Sequence, residues 1–132
     1  MRGIDTNVLV RFLLRDDVRQ AIAARRAIAS ALSEGEPLVV SLVTLLETEW
    51  VLRANAGFDK VRVVRELRRV LDKRDIAFED DAVVEQSLEA YADSNADFAE
   101  CLMIAQYQRL GCSSMLTFDA RAAKLPGAEL LT

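Results

Sequence analysis

The chain contains no histidine. That absence removes Ser-His-Asp and Cys-His nucleophile schemes and any imidazole base. Only two cysteines occur, Cys101 and Cys112, and they form no C-x-x-C. A disulfide framework or a zinc site is therefore not expected, and both residues are expected to be buried thiols in a reducing compartment. No apolar run approaches the ~20 residues of a membrane-spanning helix. The start shows no basic leader followed by a long apolar stretch. The expectation is a protein of the cytoplasm, with no membrane partner. Internal repeats, low-complexity tracts and linkers are also absent, as is any basic stretch rich in aromatics for stacking on bases. Chemistry in this chain must come from carboxylates, lysine or a bound metal.

What is present is globular in character. The 132 residues are 52% apolar and 29% charged, which suits one domain over residues 1–132 with one core. The net charge of −4 argues against a general basic coat, though not against a local basic patch.

The pattern alternates strands and helices. A short strand ends at Ile4, a turn holds Asp5-Thr6-Asn7, and a buried helix starts at about Val8. Asp16-Asp17 can cap a helix over Val18 to Leu32, and Gly35 stops it. Leu38-Val39-Val40 reads as a buried strand, with Ser41 as N-cap of a helix from Val43 to Arg53 that carries Glu47. Asp59 caps a helix over Lys60 to Lys73, for which Val61, Val64, Leu67 and Leu71 form the expected apolar stripe. Ile76-Ala77-Phe78 is a weak strand, and Asp80-Asp81 opens a helix to about Ala92. A further helix covers Ala96 to Leu110 and ends at Gly111; strands are expected over Ser113 to Phe118 and, at an edge, Ala128 to Leu131. The class is α/β with a mainly parallel sheet flanked by helices.

The acids follow a rule within this pattern. Asp5 and Asp119 directly follow strands, and Glu47 lies on the helix after a strand. Asp97 and Glu100 stand three apart near a helix start and share one face. In a parallel sheet such positions gather at one edge, where ligands bind. Two carboxylates ~4 Å apart repel by roughly 4 kcal/mol at an effective dielectric near 20. A converging set needs raised pKa values or a divalent cation, and oxygen ligands alone favour Mg²⁺ or Mn²⁺. The plainer reading is that Asp5, Asp97 and Asp119 cap helices and that Glu47 is solvated. Ile4, Leu46 and Phe98 beside these acids read as buried, and acids so flanked need partners.

At these residues the sequence resembles the PIN-domain ribonucleases, and within them the VapC toxins of type II VapBC toxin–antitoxin pairs. The matching stretches are Ile4-Asp5-Thr6-Asn7-Val8-Leu9-Val10-Arg11, Leu45-Leu46-Glu47-Thr48-Glu49-Trp50-Val51-Leu52, Ala96-Asp97-Phe98-Ala99-Glu100-Cys101-Leu102 and Leu116-Thr117-Phe118-Asp119-Ala120-Arg121. Four stretches in order are specific where one would be weak. The resemblance implies a PIN-like fold and a Mg²⁺- or Mn²⁺-dependent endoribonuclease whose acids hold metal that activates water. It implies Asp5, Glu47 and Asp119 as catalytic metal ligands, with Thr6 and Asn7 supporting Asp5 through hydrogen bonds. At the third acid the family commonly has Asp-Phe-Ala-Asp, whereas this chain has Glu100 in the last place. Either Glu100 or Asp97, one turn earlier, fills that role. Thr117 reads equally as a hydroxyl near the metal or as an ordinary strand residue. Arg11, Arg15, Arg121 and Lys124 follow the acids and could hold RNA phosphates, although each alone reads as a solvated charge. Arg62, Arg65 and Arg69 read as a solvated face. The resemblance further implies a cognate antitoxin and a homodimer or larger toxin–antitoxin assembly.

Two rival readings are a haloacid-dehalogenase-like phosphatase and a decayed PIN-like protein-binding module. The first needs a second Asp two residues after the nucleophile, where Asn7 stands. The second is favoured only by Glu100.

Overall fold

A computed structural model describes residues 1–132. Its backbone forms two compact units, Met1–Asp81 and Ala82–Thr132.

The first unit is built on a three-stranded parallel sheet of β1 (Arg2–Gly3), β2 (Leu38–Val40) and β3 (Ile76–Phe78), with β2 in the middle. Helices α1 (Thr6–Leu14) and α2 (Val18–Ser33) carry the chain from β1 to β2. Helix α3 (Leu42–Trp50), a π-helical turn (Val51–Asn55) and α4 (Lys60–Leu71) carry it from β2 to β3. The central strand buries Leu38 and Val40. Alanines 21, 24 and 31 of α2 are also buried, and side chains this small let α1 and α2 pack closely. Side-chain caps start each helix of this unit: Asp5 accepts from Val8 N at 3.1 Å, Asp17 from Gln20 N at 3.1 Å, Ser41 from Thr44 N at 3.1 Å and Asp59 from Arg62 N at 2.8 Å.

The second unit holds α5 (which begins at Asp81 and runs to Asp93), α6 (Phe98–Arg109), β4 (Met115–Thr117), a 3-10 turn (Ala122–Lys124) and β5 (Ala128–Leu130). Strands β4 and β5 pair in parallel, with Met115 opposite Ala128. Phe98 is almost fully buried, and its ring packs 5.2 Å from that of Tyr91.

The α/β class and the parallel pairing agree with the sequence. Several details differ. Helix α1 begins at Thr6 because Asp5 itself is the cap. Helix α3 stops at Trp50, and the π-helical turn takes over the residues read as its end. The stripe of α4 is Val63, Val64, Leu67 and Val70, while Val61 is 73% exposed. Both sets fit a 3.6-residue period. Packing of α4 on β3 selects between them. Of the three residues flanking the acids, Phe98 is buried, but Ile4 and Leu46 are only half-buried. Cys101 is buried as expected, whereas Cys112 is exposed in the turn after Gly111.

Candidate active site

The strand-end rule can be followed residue by residue. In the first unit, β1, β2 and β3 run parallel, so Asp5, Ser41 and Glu79 emerge at the same carboxyl edge. A groove of about 450 Å³ opens there, lined by Gly3, Ile4, Ser41, Phe78 and Glu79. Asp5 is exposed, and one carboxylate oxygen holds the Val8 amide. Asp5 and Asn7 also line a neighbouring groove of about 360 Å³ with Val8, Arg11 and Gln20. Thr6 is buried at the first position of α1.

Arg11 reaches this second groove but is already engaged. Its Nε donates to Gln20 at 2.6 Å, and its terminal nitrogen meets both Asp16 oxygens at 2.9 and 3.1 Å. Arg15 ends α1 in the left-handed region, at φ 59°, and its side chain is exposed.

Glu47 is exposed on α3. Two residues on, Glu49 is only 2% exposed and accepts from Arg53 Nε at 2.8 Å. Glu49 was not singled out in the sequence, yet a signal was there. Leu42, Leu45, Glu49 and Leu52 are all buried at helical spacing, so Glu49 occupies an apolar stripe. Glu79 was also missed, although it directly follows β3. Its carboxylate accepts from Leu42 N at 2.9 Å and supplements the start of α3.

In the second unit the structure brings two of the expected acids together. Asp97 is the N-cap of α6 and Glu100 stands three residues inside it. The Glu100 carboxylate accepts from Asp97 N at 3.1 Å, one arm of a capping box. The reciprocal Asp97 arm is too loose to count as a side-chain cap. Asp119 follows β4. Its Oδ1 accepts from Arg121 N at 2.7 Å and Ala122 N at 3.3 Å. The Thr117 hydroxyl accepts from Asp119 N at 3.0 Å and so shapes the turn that presents this acid.

Glu100 and Asp119 form a carboxyl–carboxyl hydrogen bond. The Glu100 pKa is raised, first by desolvation and then by its contact with Asp119 and the charges of Asp119 and Asp97; the Asp97 amide opposes this. The Asp119 pKa is lowered, first by the Arg121 and Ala122 amides and then by Glu100. The two shifts run in opposite directions, so Asp119 holds its charge more readily than Glu100. Arg121 adds a favourable charge beside Asp119. Lys124, in the 3-10 turn, lines a separate groove of about 410 Å³ with Glu89, Asp93 and Cys101.

Two carboxyls in contact offer hard oxygen donors to a cation that would relieve their mutual repulsion. The chain has no histidine, and two carboxyls as donors fit Mg²⁺ or Mn²⁺. Nowhere do three or more acidic or thiol groups surround one cation position. The pair is what the fold assembles, and Asp5 and Glu47 belong to the first unit.

A family model described as PIN domain matches residues 4–128. The chain belongs to the PIN-domain family. The match runs through both compact units and contains all five acids named from the sequence. PIN domains are in general nucleases of the hydrolase class that use divalent metal ions, and the all-oxygen pair suits that chemistry. No curated protein matches this PIN domain. None of its helices is long and apolar enough to cross a membrane.

Proposed function

We propose that this PIN domain is a Mg²⁺- or Mn²⁺-dependent endoribonuclease, and that it is the VapC-like toxin of a type II toxin–antitoxin pair acting in the cytoplasm. The observation that carries the reading is the contact between the Glu100 and Asp119 carboxyls, the two acids that the resemblance implies as third and fourth. It favours Glu100 over Asp97 as the third ligand, because Glu100 is the one in side-chain contact with Asp119. In this reading residues 1–132 are one PIN domain, and Asp5 and Glu47 are its first and second catalytic acids.

The divalent ion, when bound, neutralises phosphate charge and activates water for attack on the phosphodiester. The chain's own residues prepare for this. Amides of Arg121 and Ala122 keep Asp119 ionised and fixed. Glu100 and Asp119 would hold the ion through their carboxylate oxygens, Glu100 in its ionised form. Thr117 fixes the turn, while Thr6 and Asn7 flank Asp5. Arg121, beside Asp119, is the best placed of the four basic residues to meet a phosphate; Arg11 is tied to Asp16. A cognate antitoxin and a second copy of the chain are the proposed protein partners. Val43 and Trp50, 76% and 51% exposed on α3, support a protein contact on that helix.

The test is cleavage of total RNA with Mg²⁺, Mn²⁺ or EDTA, beside Asp5→Asn. Asparagine keeps an oxygen for the Val8 amide while removing the charge. Discrete metal-dependent fragments, absent with the variant, are expected. The glutamate at position 100 favours one second reading, a decayed binding module. Absence of cleavage together with absence of Mg²⁺ and Mn²⁺ binding by calorimetry would establish it instead.

A further inference from the structure

We propose that the outward face of α4, continued by Lys73, is the surface that grips the phosphate backbone of the RNA. This rests on the nuclease reading and adds to it a site away from the acids. Residues 60–74 contain seven cations and only two acids, Glu66 and Asp72, in a chain whose net charge is −4. The segment after Asp81 holds just three of the 17 basic residues. Positive charge is thus concentrated on one helix.

The burial pattern decides which way these cations point. Val63, Val64, Leu67 and Val70 face the core. Arg62, Arg65 and Arg69, followed by Lys73, recur every three or four residues on the opposite side, so they form one stripe. At 1.5 Å rise per residue the three arginines stand roughly 5 Å apart along the axis, a ladder that a flexible phosphate chain can follow. Glu66 is the one acid in the stripe. Its side chain is 14% exposed and lies 3.4 Å from Arg69 and 4.0 Å from Arg65, whose side chains are 72% and 61% exposed. The acid lies beneath, the three arginines face water and Lys73 is half-buried.

Two aromatic rings hold the ends of the ladder. The Arg62 guanidinium lies 3.7 Å from the Phe58 ring centre, and the Lys73 ammonium lies 5.2 Å from that of Phe12. Phe12, Arg15, Arg69 and Lys73 also line a groove of about 490 Å³. A protein partner would need a cluster of apolar anchors at the centre of its footprint, and the one large apolar side chain exposed on α4 is Val61, at its first turn. Regularly spaced, exposed guanidinium groups suit charge-assisted contacts to phosphate.

The experiment measures anisotropy of a labelled single-stranded RNA over a KCl series in EDTA, so that binding is read without cleavage. The protein is compared with the triple variant Arg65→Gln, Arg69→Gln, Lys73→Gln. Removing three phosphate contacts is expected to lower the slope of log affinity against log salt by about 2 and to weaken binding at least about tenfold at low salt. Arg65→Lys with Arg69→Lys is expected to keep the slope. Glu66→Gln, which frees both arginines, is expected to tighten binding, and it remains informative if the triple variant does not fold. An unchanged slope in a folded triple variant, no tightening by Glu66→Gln, or displacement by polyglutamate at lower concentration than by unlabelled RNA would overturn the proposal. Loss of binding in the triple variant of a protein that cleaves no RNA would sink the nuclease reading and keep this surface. Normal cleavage with an unchanged slope would do the reverse.

Discussion

Glu47 and Glu49 lie two residues apart on α3, and mutation should separate them cleanly. Glu47 is exposed; Glu49 is 2% exposed and bound to Arg53 at 2.8 Å. Removing one partner of a fully buried ion pair costs about 3–5 kcal/mol, and a surface pair contributes only about 0–1 kcal/mol. This pair lies between those limits, because the Arg53 side chain is 48% exposed and water reaches its guanidinium. Arg53→Ala, which strips that group from a carboxylate water hardly touches, is expected to cost about 1–3 kcal/mol. At about 4 °C per kcal/mol for a chain of this size, Tm falls by roughly 4–12 °C. Glu49→Gln should cost less, since the arginine it releases can return to solvent. Glu47→Gln touches no buried group, so its Tm should stay within about 2 °C. The assay is a thermal melt by circular dichroism run beside RNA cleavage at a temperature where every variant is folded. Glu47→Gln should lose cleavage and keep its Tm; Arg53→Ala and Glu49→Gln should do the opposite. Loss of cleavage in folded Glu49→Gln, with retention in Glu47→Gln, would show that the second acid of the site has been misassigned. A melt of Arg53→Ala indistinguishable from the parent would refute the ion-pair argument.

Two further outcomes follow from particular contacts. Glu100 has a folded pKa above its ordinary 4.5, so its stabilising contribution is present at acid pH and fades as pH rises through the raised value. Asp119 has a folded pKa below its ordinary 3.8, so its contribution is present above 3.8 and is lost as pH falls through the lowered value. In the window just above 4.5, Mg²⁺ or Mn²⁺ binding should therefore release protons and tighten with pH, read by calorimetry in buffers of different ionisation heat; pH-independent affinity with no proton release would exclude the pair as ligands. Gly127 has φ +91°, and an added Cβ would meet the Gln108 side chain and come within 3.0 Å of Ile104 Cγ2. Gly127→Ala should cost about 1–3 kcal/mol and lower Tm more than Gly111→Ala, which shares the backbone angle but opens onto empty space; equal melts would contradict this.

Local signals were the legible ones. Asp17, Ser41 and Asp59 cap helices as read, because a cap and its amide lie within three residues of each other, and Asp5 takes the plainer of its two readings; the helix expected from Ala96 starts at Phe98, with Asp97 before it. Gly35 and Gly111 take positive φ where helices were expected to stop. What was not legible depended on distant partners. The face of α4 could be Val61 with Leu71 or Val63 with Val70 until β3 and Phe58 were in place. The Glu100–Asp119 contact joins residues 19 apart in sequence, and no spacing rule announces it. The strand-end rule found Asp5 and Asp119 but was not applied to Glu79, which obeys it equally. Glu49 is masked by the exposed Glu47 two residues before it, and only its place on the buried face of α3 sets it apart.

The caps at Asp5 and Asp119 have a further consequence. Each uses a carboxylate oxygen to bind amides of the turn that follows it. These side chains are therefore immobilised by folding, and little rotamer entropy remains to be lost when a ligand arrives. Structural zinc sites work the other way, because there the ion organises the chain. Here the backbone organises the acids, so a chelator should silence the protein while leaving it folded, and returning the ion should restore it without refolding.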